Sequence, residues 1–279
     1  MTTEIEVAQR RANAASWFLK RQFGEDEAVP EIGIILGTGW GDALNIMGAA
    51  SVPFKEIPGF DGLQPLEGHA RRVWSGEIAG KRIIALQGRI HLNEHPSDPR
   101  LPEMVRLQVQ MLLEFGVRKF ILTNATGSLK HECKVGDLVI ADGLVTLFAP
   151  PMPLYAGEFC SPEDRLDRGM RAIALETKVV KDGAVLLTHS GGYAMVRGPF
   201  FEGRKYDKYI LRNTGAMTVG MSLLPELCTI ALYPGASAVC LSFITNTMDE
   251  EHSHETNQAR VKQSSALLGE YLERLIEQI

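Results

Sequence analysis

The 279-residue sequence has few cysteines and no long apolar run, and each scarcity excludes a class of protein. Its four cysteines, Cys133, Cys160, Cys228 and Cys240, have no metal-type spacing, which predicts reduced and mostly buried thiols. No apolar run approaches the length that spans a bilayer, and the polar residues 1–6 lack the apolar core of a secretion signal. We therefore expect a cytoplasmic protein that does not bind membranes.

The sequence also lacks an excess of positive charge. It has 29 Lys and Arg against 34 Asp and Glu, so its net charge is −5 and a nucleic-acid partner is not favoured. It contains no internal repeat and no low-complexity segment. With 45% apolar and 23% charged residues it has the composition of an ordinary globular protein. A local pocket for a small anion remains compatible with this overall charge.

Predicted strands and amphipathic helices alternate along most of the chain. The predicted strands are 32–36, 70–78, 81–87, 120–122, 138–145, 184–188, 217–220 and 238–244, the last ending in Asn246. The predicted helices are 4–23, 102–115, 161–178, 205–213, 225–232 and 254–278. This alternation, without a break in composition, predicts a single α/β domain over residues 1–279 with a central twisted mixed β-sheet flanked by helices.

Small polar loops follow several of these strands. The glycines of 37–41 let backbone approach a ligand and the Thr38 hydroxyl can donate to an oxyanion, although a plain tight turn explains the loop equally well. Arg89 and His91 point to one side of an extended segment, which suits an oxyanion clamp. The loop 123–129 is explained equally by turn capping.

Three later segments each add one polar group suited to a small ligand: the carboxylate of Glu202, the hydroxyl of Ser222 and the amide of Asn246. Open α/β sheets bind ligands at the carboxyl ends of their strands. We therefore predict that these groups form one half of a pocket and that the earlier loops form the other half. The acidic, His-containing run 249–255 has no zinc spacing and favours a solvated loop over a metal site.

Seven motifs in this order resemble the trimeric purine nucleoside phosphorylase family, which includes the methylthioadenosine phosphorylases. They are 36–41, 68–69, 87–91, 123–129 with 136–137, 198–202, 219–222 with 225–226, and 245–246. The resemblance implies a nucleoside phosphorylase-like fold and a homotrimer. It also implies reversible phosphorolysis, in which phosphate attacks the anomeric carbon, the purine leaves and a pentose 1-phosphate forms. Inorganic phosphate is then the co-substrate, with no other cofactor and no metal.

The resemblance also implies roles for individual residues. The phosphate would be held by Thr38, Arg89, His91, the Ala125 backbone and Ser222. The base would be bound by Phe201, Glu202, Val219 and Asn246, with Asn246, Glu202 and His91 as the catalytic groups. The sugar would lie against Met221, Tyr193 and Gln258. A buried carboxylate that accepts from the N1–H of the base favours 6-oxopurine (2′-deoxy)ribonucleosides, because the N1 of adenine carries no proton.

Several positions depart from the family pattern. Thr247 replaces a Lys, Thr126 an Ala and Asn93 a Tyr, while Gln258 stands where a His contacts the sugar 5′-hydroxyl. The loop 148–160 is shorter than in the family, so the aromatic residue lent to a neighbouring subunit has no clear counterpart; Phe159 and Tyr155 are the candidates. These departures bear on base and sugar preference more than on the reaction.

Three alternatives are weighed against this hypothesis. A methylthioadenosine phosphorylase is expected to have Asp in place of Asn246 and Ser in place of Glu202, and this chain has neither. A non-catalytic nucleoside-binding homologue is suggested by the departures above. A Rossmann-type oxidoreductase would need an acidic ribose partner after its glycine loop, and the chain lacks one.

Overall fold

A computed structural model of the chain describes residues 3–24, 29–44, 46–64, 70–95, 97–198, 200, 203, 205–250 and 253–279. The strands in this part are β1 Ile32–Leu36, β2 Met47–Pro53, β3 Arg72–Ile78, β4 Lys81–Gln87, β5 Lys119–Ser128, β6 Leu138–Val145, β7 Val180–Lys181, β8 Ala184–Val185, β9 Thr188–Met195, β10 Thr218–Gly220 and β11 Ser237–Asn246. The helices are α1 Glu4–Phe23, α2 Leu101–Phe115, α3 Arg168–Glu176, α4 Asp207–Asn213, α5 Leu224–Ala231, α6 His254–Gln263 and α7 Ser265–Gln278.

Nine strands form one mixed sheet in the order β10-β9-β6-β11-β5-β1-β4-β3-β2. Strands β4, β1, β5 and β11 run parallel to one another, and β11 meets β6 antiparallel. Strand β10 runs parallel to β9 and also pairs antiparallel with β5, matching Thr218 to Ser128. This second pairing closes β5, β11, β6, β9 and β10 into a ring. The predicted α/β class with a mixed sheet flanked by helices is confirmed.

The central strands are buried on both faces because helices cover each side of the sheet. Ile35 of β1 packs in one core cluster with residues of α1, α2 and α5. Its neighbour Ile34 packs in the other cluster with residues of α3 and α7. Alternate residues of one strand thus serve opposite layers, which explains why the strands read as continuous apolar runs. Among the described residues, no helix combines the length and apolarity that crossing a membrane requires.

Helix α1 has the bounds that its sequence predicts. Thr3 and Glu6 form a capping box at its start, and Gly24 ends it at φ 67°, a left-handed conformation that suits glycine. The predicted hairpin is also present as β3 and β4, with a turn at Ala79 and Gly80. Local chemistry specified these boundaries.

Three predicted boundaries are wrong. Residues 123–128 of the predicted loop 123–129 belong to β5, because β11 and β10 pair with these residues and override their turn propensity. The predicted helix from Ser161 is a short 3₁₀ turn over Pro162–Arg165 followed by α3, whose cap is Asp167. The predicted C-terminal helix is likewise two helices, which meet at Ser264.

Candidate active site

The turn after β1 is held directly against the middle of β5. The Gly37 N–H donates to Thr123 Oγ1 at 3.0 Å, and that hydroxyl donates to the Ile35 carbonyl at 3.2 Å. A Cβ at position 37 would lie 2.5 Å from the Thr123 carbonyl oxygen, so only glycine permits this approach. Thr38, half-buried, follows at once. Its position is therefore set by β5.

Arg89 lies inside the protein, with 1% of its surface exposed. Its Nη1 donates to Oε1 of Glu226 at 2.8 Å, and Glu226 on α5 is itself 2% exposed. The guanidinium also donates to the carbonyls of Thr123 and Ile35. A charged pair this deep needs such partners, because burial removes the solvation of both ions. These contacts fix the guanidinium plane beside β5.

His91 has different partners from Arg89. Its backbone N–H donates to Glu94 Oε1 at 2.8 Å, and its Nδ1 lies 3.1 Å from the same oxygen. Burial alone would raise the pKa of Glu94, but hydrogen bonds from His91 and the positive charges of His91 and Arg71 outweigh burial and lower that pKa. The carboxylate therefore stays ionised and orients the imidazole ring through Nδ1.

The Ser222 backbone is held by a residue of β9, close to the side chain of Asn124 in β5. The Ser222 N–H donates to the Tyr193 hydroxyl oxygen at 3.1 Å. Burial raises the pKa of Tyr193, so its phenol is neutral near pH 7. A Cβ at Gly220 would lie 2.6 Å from the Tyr193 hydroxyl and 3.3 Å from Nδ2 of Asn124. The phenol and the β5 amide thus both lie close to Gly220, two residues before Ser222.

Val219 and Asn246 approach each other across the end of β5. A Cβ on Gly127 would lie 3.0 Å from Nδ2 of Asn246 and 3.5 Å from Val219. Thr126 Oγ1 donates to the Val219 carbonyl at 2.6 Å. Thr245 Oγ1 donates to the Thr126 carbonyl and lies 3.2 Å from Oδ1 of Asn246. These contacts fix the Asn246 amide, which is buried.

The strand end beyond Asn246 is braced by an ion pair. The Thr247 N–H donates to Glu250 Oε1 at 2.8 Å. Arg260 of α6 donates to both oxygens of that carboxylate, at 2.9 and 3.1 Å, and to the Thr245 carbonyl. Thr247, which departs from the family pattern, is thus held in place through its backbone N–H.

Three further predicted residues lie in or beside this region. Ala125 is in β5 opposite Phe243 of β11. Asn93 donates weakly to the Met221 sulfur at 3.9 Å, which joins the His91 loop to the Ser222 loop. Gln258 is half-buried on α6, a helix that packs on β11 and β5.

Part of the predicted site lies outside the described residues. This applies to Phe201 and Glu202, predicted to bind the base, and to 68–69, which belong to one of the recognised motifs. Their assigned roles stay predictions.

Sequence reasoning assigned no role to three buried polar residues at this site. Glu226 and Asn124 stand in recognised motifs, but only the fold places the first against Arg89. Both side-chain atoms of Asn124 are buried with no partner among the described residues, as expected for a group that faces a ligand space. Glu94 lies three residues from His91, and that spacing was its only signal.

Together the site offers a fixed cation, hydroxyls and amides around the middle and end of β5. The cation and hydroxyls suit a small anion, and the amide of Asn246 can donate and accept toward a neutral polar ring. Such a combination can accept a small anion beside a neutral polar ring.

Comparison with known proteins shows the family to which the chain belongs. The profile of the phosphorylase superfamily matches residues 31–277. The chain belongs to this superfamily and, within it, to the purine nucleoside phosphorylase family. Purine nucleoside phosphorylase 1 of Bacillus subtilis (strain 168) is 31% identical, over 88% of this chain and 90% of its own. The Bos taurus purine nucleoside phosphorylase is 30% identical, over 95% and 91%.

Solved structures of Schistosoma mansoni purine nucleoside phosphorylases share the fold. Isoform 2, in complex with cytosine and ribose-1-phosphate, superposes with a TM-score of 0.81 at 27% identity, over 96% of both chains. The Schistosoma mansoni enzyme in complex with inosine gives a TM-score of 0.80 at 26% identity, over 97% of this chain and 96% of its own.

Proposed function

We propose that this protein is a purine nucleoside phosphorylase that cleaves 6-oxopurine (2′-deoxy)ribonucleosides with phosphate, giving the free base and a pentose 1-phosphate. The observation that carries the proposal is the convergence on β5 of a buried cation, a serine loop and a buried amide, Arg89, Ser222 and Asn246. Family membership supports the same reaction.

The phosphate half of the site surrounds the turn after β1. Phosphate carries nearly two negative charges at neutral pH and needs a fixed cation and several donors. Arg89 supplies the cation, and Glu226 holds its guanidinium in one plane. Thr38, His91, Ser222 and the Ala125 N–H supply the donors. The bound phosphate would then stabilise positive charge that develops on the sugar.

The base half lies at the end of β11. As the bond to the sugar breaks, negative charge builds on the purine, and groups already in position stabilise it without reorganising. Asn246 would bond N7 and O6, while Glu202 would accept from the N1–H, with Phe201 and Val219 against the ring. Met221, Tyr193 and Gln258 would contact the sugar.

A panel of nucleosides tests the reaction. Purified protein is incubated with inosine, guanosine, xanthosine, adenosine and methylthioadenosine, with and without inorganic phosphate, and base release is measured by chromatography. We expect phosphate-dependent release of hypoxanthine and guanine. Release of adenine alone would contradict the 6-oxopurine assignment and favour the methylthioadenosine branch. Nucleoside binding by calorimetry without any cleavage would favour a non-catalytic homologue.

We also infer a cytoplasmic homotrimer. Four free thiols support a reducing compartment. Of the two aromatic residues considered for a neighbouring site, Tyr155 is held in its own chain by the Arg106 guanidinium, 4.7 Å from the ring centroid. Phe159 is 93% exposed, so it is the residue available to reach a neighbour. Sedimentation equilibrium should give the mass of three chains, and a monomer at micromolar concentration would contradict this inference.

A further inference from the structure

Arg71 combines two features that are unusual for an arginine. Its φ of 48° lies in the left-handed region, which side-chain-bearing residues rarely adopt. It is also 6% exposed, and its carbonyl accepts from the Phe54 N–H at 2.8 Å. Ala79 and Asp182 also have positive φ but sit in hairpin turns, where it is common, and Leu223, at φ 72°, directly follows Ser222. Strain of this kind persists where the surroundings hold it, often next to a functional site.

The buried guanidinium of Arg71 has two partners. One nitrogen donates to the Gln64 carbonyl and another donates to Oε2 of Glu94. The Glu94 side chain is 3% exposed, and its second oxygen receives the backbone N–H of His91 and lies beside the ring Nδ1 of His91. Arg71, Glu94 and His91 therefore form a continuous chain of contacts that ends at the imidazole.

The charge of Glu94 explains why this series of contacts begins with a cation, Arg71. A carboxylate one imidazole away from a bound phosphate would repel that dianion. The Arg71 guanidinium offsets the charge of Glu94 while leaving Oε1 to accept from His91. A buried carboxylate with a fixed counter-ion is also confined to one orientation.

We propose that Arg71 is a positioning residue of the phosphate site, acting on the His91 ring through the Glu94 carboxylate. This inference rests on the proposed function only in assigning His91 to phosphate. Arg71 itself touches neither the phosphate nor the nucleoside.

The first experiment compares Arg71→Met, Arg71→Lys and the control Arg72→Met. Arg72 binds Ser51 Oγ at 2.7 Å on the neighbouring strand and has no contact with Glu94. Phosphate affinity is measured by calorimetry with inorganic phosphate, and KM is measured separately for phosphate and inosine. We expect Arg71→Met to weaken phosphate binding and raise the KM for phosphate about tenfold or more, by analogy with groups that orient metal-binding histidines. The KM for inosine should change less than about twofold. Arg71→Lys should restore most of the phosphate affinity, and Arg72→Met should change neither constant.

The second experiment asks whether Arg71 acts through Glu94. In a Glu94→Gln background, the further change Arg71→Met should cost no additional phosphate affinity, because coupled residues are not additive. Additive losses would mean that Arg71 acts independently of Glu94 and would overturn the proposal. An equal rise in both KM values would show a general structural role and would overturn it too.

Direct phosphate titration keeps this test separate from the test of function. Wild-type protein that binds phosphate without cleaving nucleosides would contradict the proposed reaction, while the Arg71 variants would still be judged by their phosphate affinity. Cleavage with unchanged affinity in Arg71→Met would overturn the positioning role alone. Wild-type protein that binds no phosphate would overturn both.

Discussion

At the scale of single residues, Asn246 is the group on which the base assignment depends. Its amide is buried, and its oxygen lies 3.2 Å from the Thr245 hydroxyl, so its orientation is fixed before substrate binds. Preorganised donors of this kind contribute to the rate because they need not reorganise during the reaction.

We expect Asn246→Ala to lower kcat/KM for inosine by about 10²–10³-fold, the loss typical of one preorganised donor. The variant should fold normally, as judged by circular dichroism and thermal unfolding. Asn213→Ala, an exposed amide at the end of α4, is the control and should leave activity unchanged. Full activity in Asn246→Ala would refute the base assignment.

The buried pair of Arg89 and Glu226 gives a prediction about stability. Removing one partner of a buried ion pair leaves the other charge unsolvated, so Glu226→Ala should lower the free energy of unfolding by about 3–5 kcal/mol. Glu103→Ala removes a surface carboxylate whose partner is Arg11 and should cost less than about 1 kcal/mol. Urea denaturation measures both values, and similar losses in the two variants would contradict the structural role of the pair.

At the scale of elements, Ser161 and Asp167 are two candidate N-caps for the helical segment that contains α3. Asp167 accepts from the Met170 N–H at 2.9 Å, whereas Ser161 makes no capping bond to the 3₁₀ turn that it precedes. Asp167→Ala should therefore cost about 0.5–2 kcal/mol in urea unfolding. Ser161→Ala should cost little, and the reverse order would contradict these boundaries.

The cap at Asp167 also has a pH dependence with a defined sign. Burial alone would raise the pKa of its carboxyl, but bonds from the Met170 N–H, the Ser237 hydroxyl and the Gly169 N–H outweigh burial and lower that pKa. Its contribution is therefore complete above the unfolded pKa of about 3.9 and is lost as pH falls through the folded pKa. The difference between wild type and Asp167→Ala should shrink accordingly below about pH 4.

Much of the pattern of helices and strands was predictable because short local stretches of sequence determine it. Helix α1 carries its own capping box and terminal glycine, and β1 is a run of apolar residues. The extent of β5 was not predictable, because Thr, Asn and Gly at 123–128 have turn propensity and only distant strands pair them.

The candidate site was likewise predictable only in part. Motif resemblance placed Arg89, Ser222 and Asn246 in one pocket. In the structure Arg89 and Asn246 lie against β5, and Ser222 is held by Tyr193 of β9. Their buried partners needed the fold. Arg71 and Glu94 are far apart in the sequence, and no local pattern indicates that an arginine at left-handed φ reaches that carboxylate.

At the scale of the whole molecule, Phe159 gives a prediction about assembly. If it completes a neighbour's site, Phe159→Ala should raise the KM for inosine about tenfold, since an aromatic contact with a base contributes about 1–3 kcal/mol. The unfolding free energy should not change. Leu147→Ala removes a side chain that is 88% exposed and serves as the control. An unchanged KM would assign Phe159 to the surface alone.

The ring formed when β10 pairs with β5 joins parts of the chain that are far apart in sequence. Strands β1, β4 and β5 come from the first half of the chain, whereas Ser222 follows β10 and Asn246 ends β11. Contacts between residues far apart in sequence form slowly, because their loop entropy is lost before the contacts stabilise the chain. After dilution from urea, enzymatic activity should therefore return later than the helical circular dichroism signal. Simultaneous recovery would mean that the ring closes together with the helices.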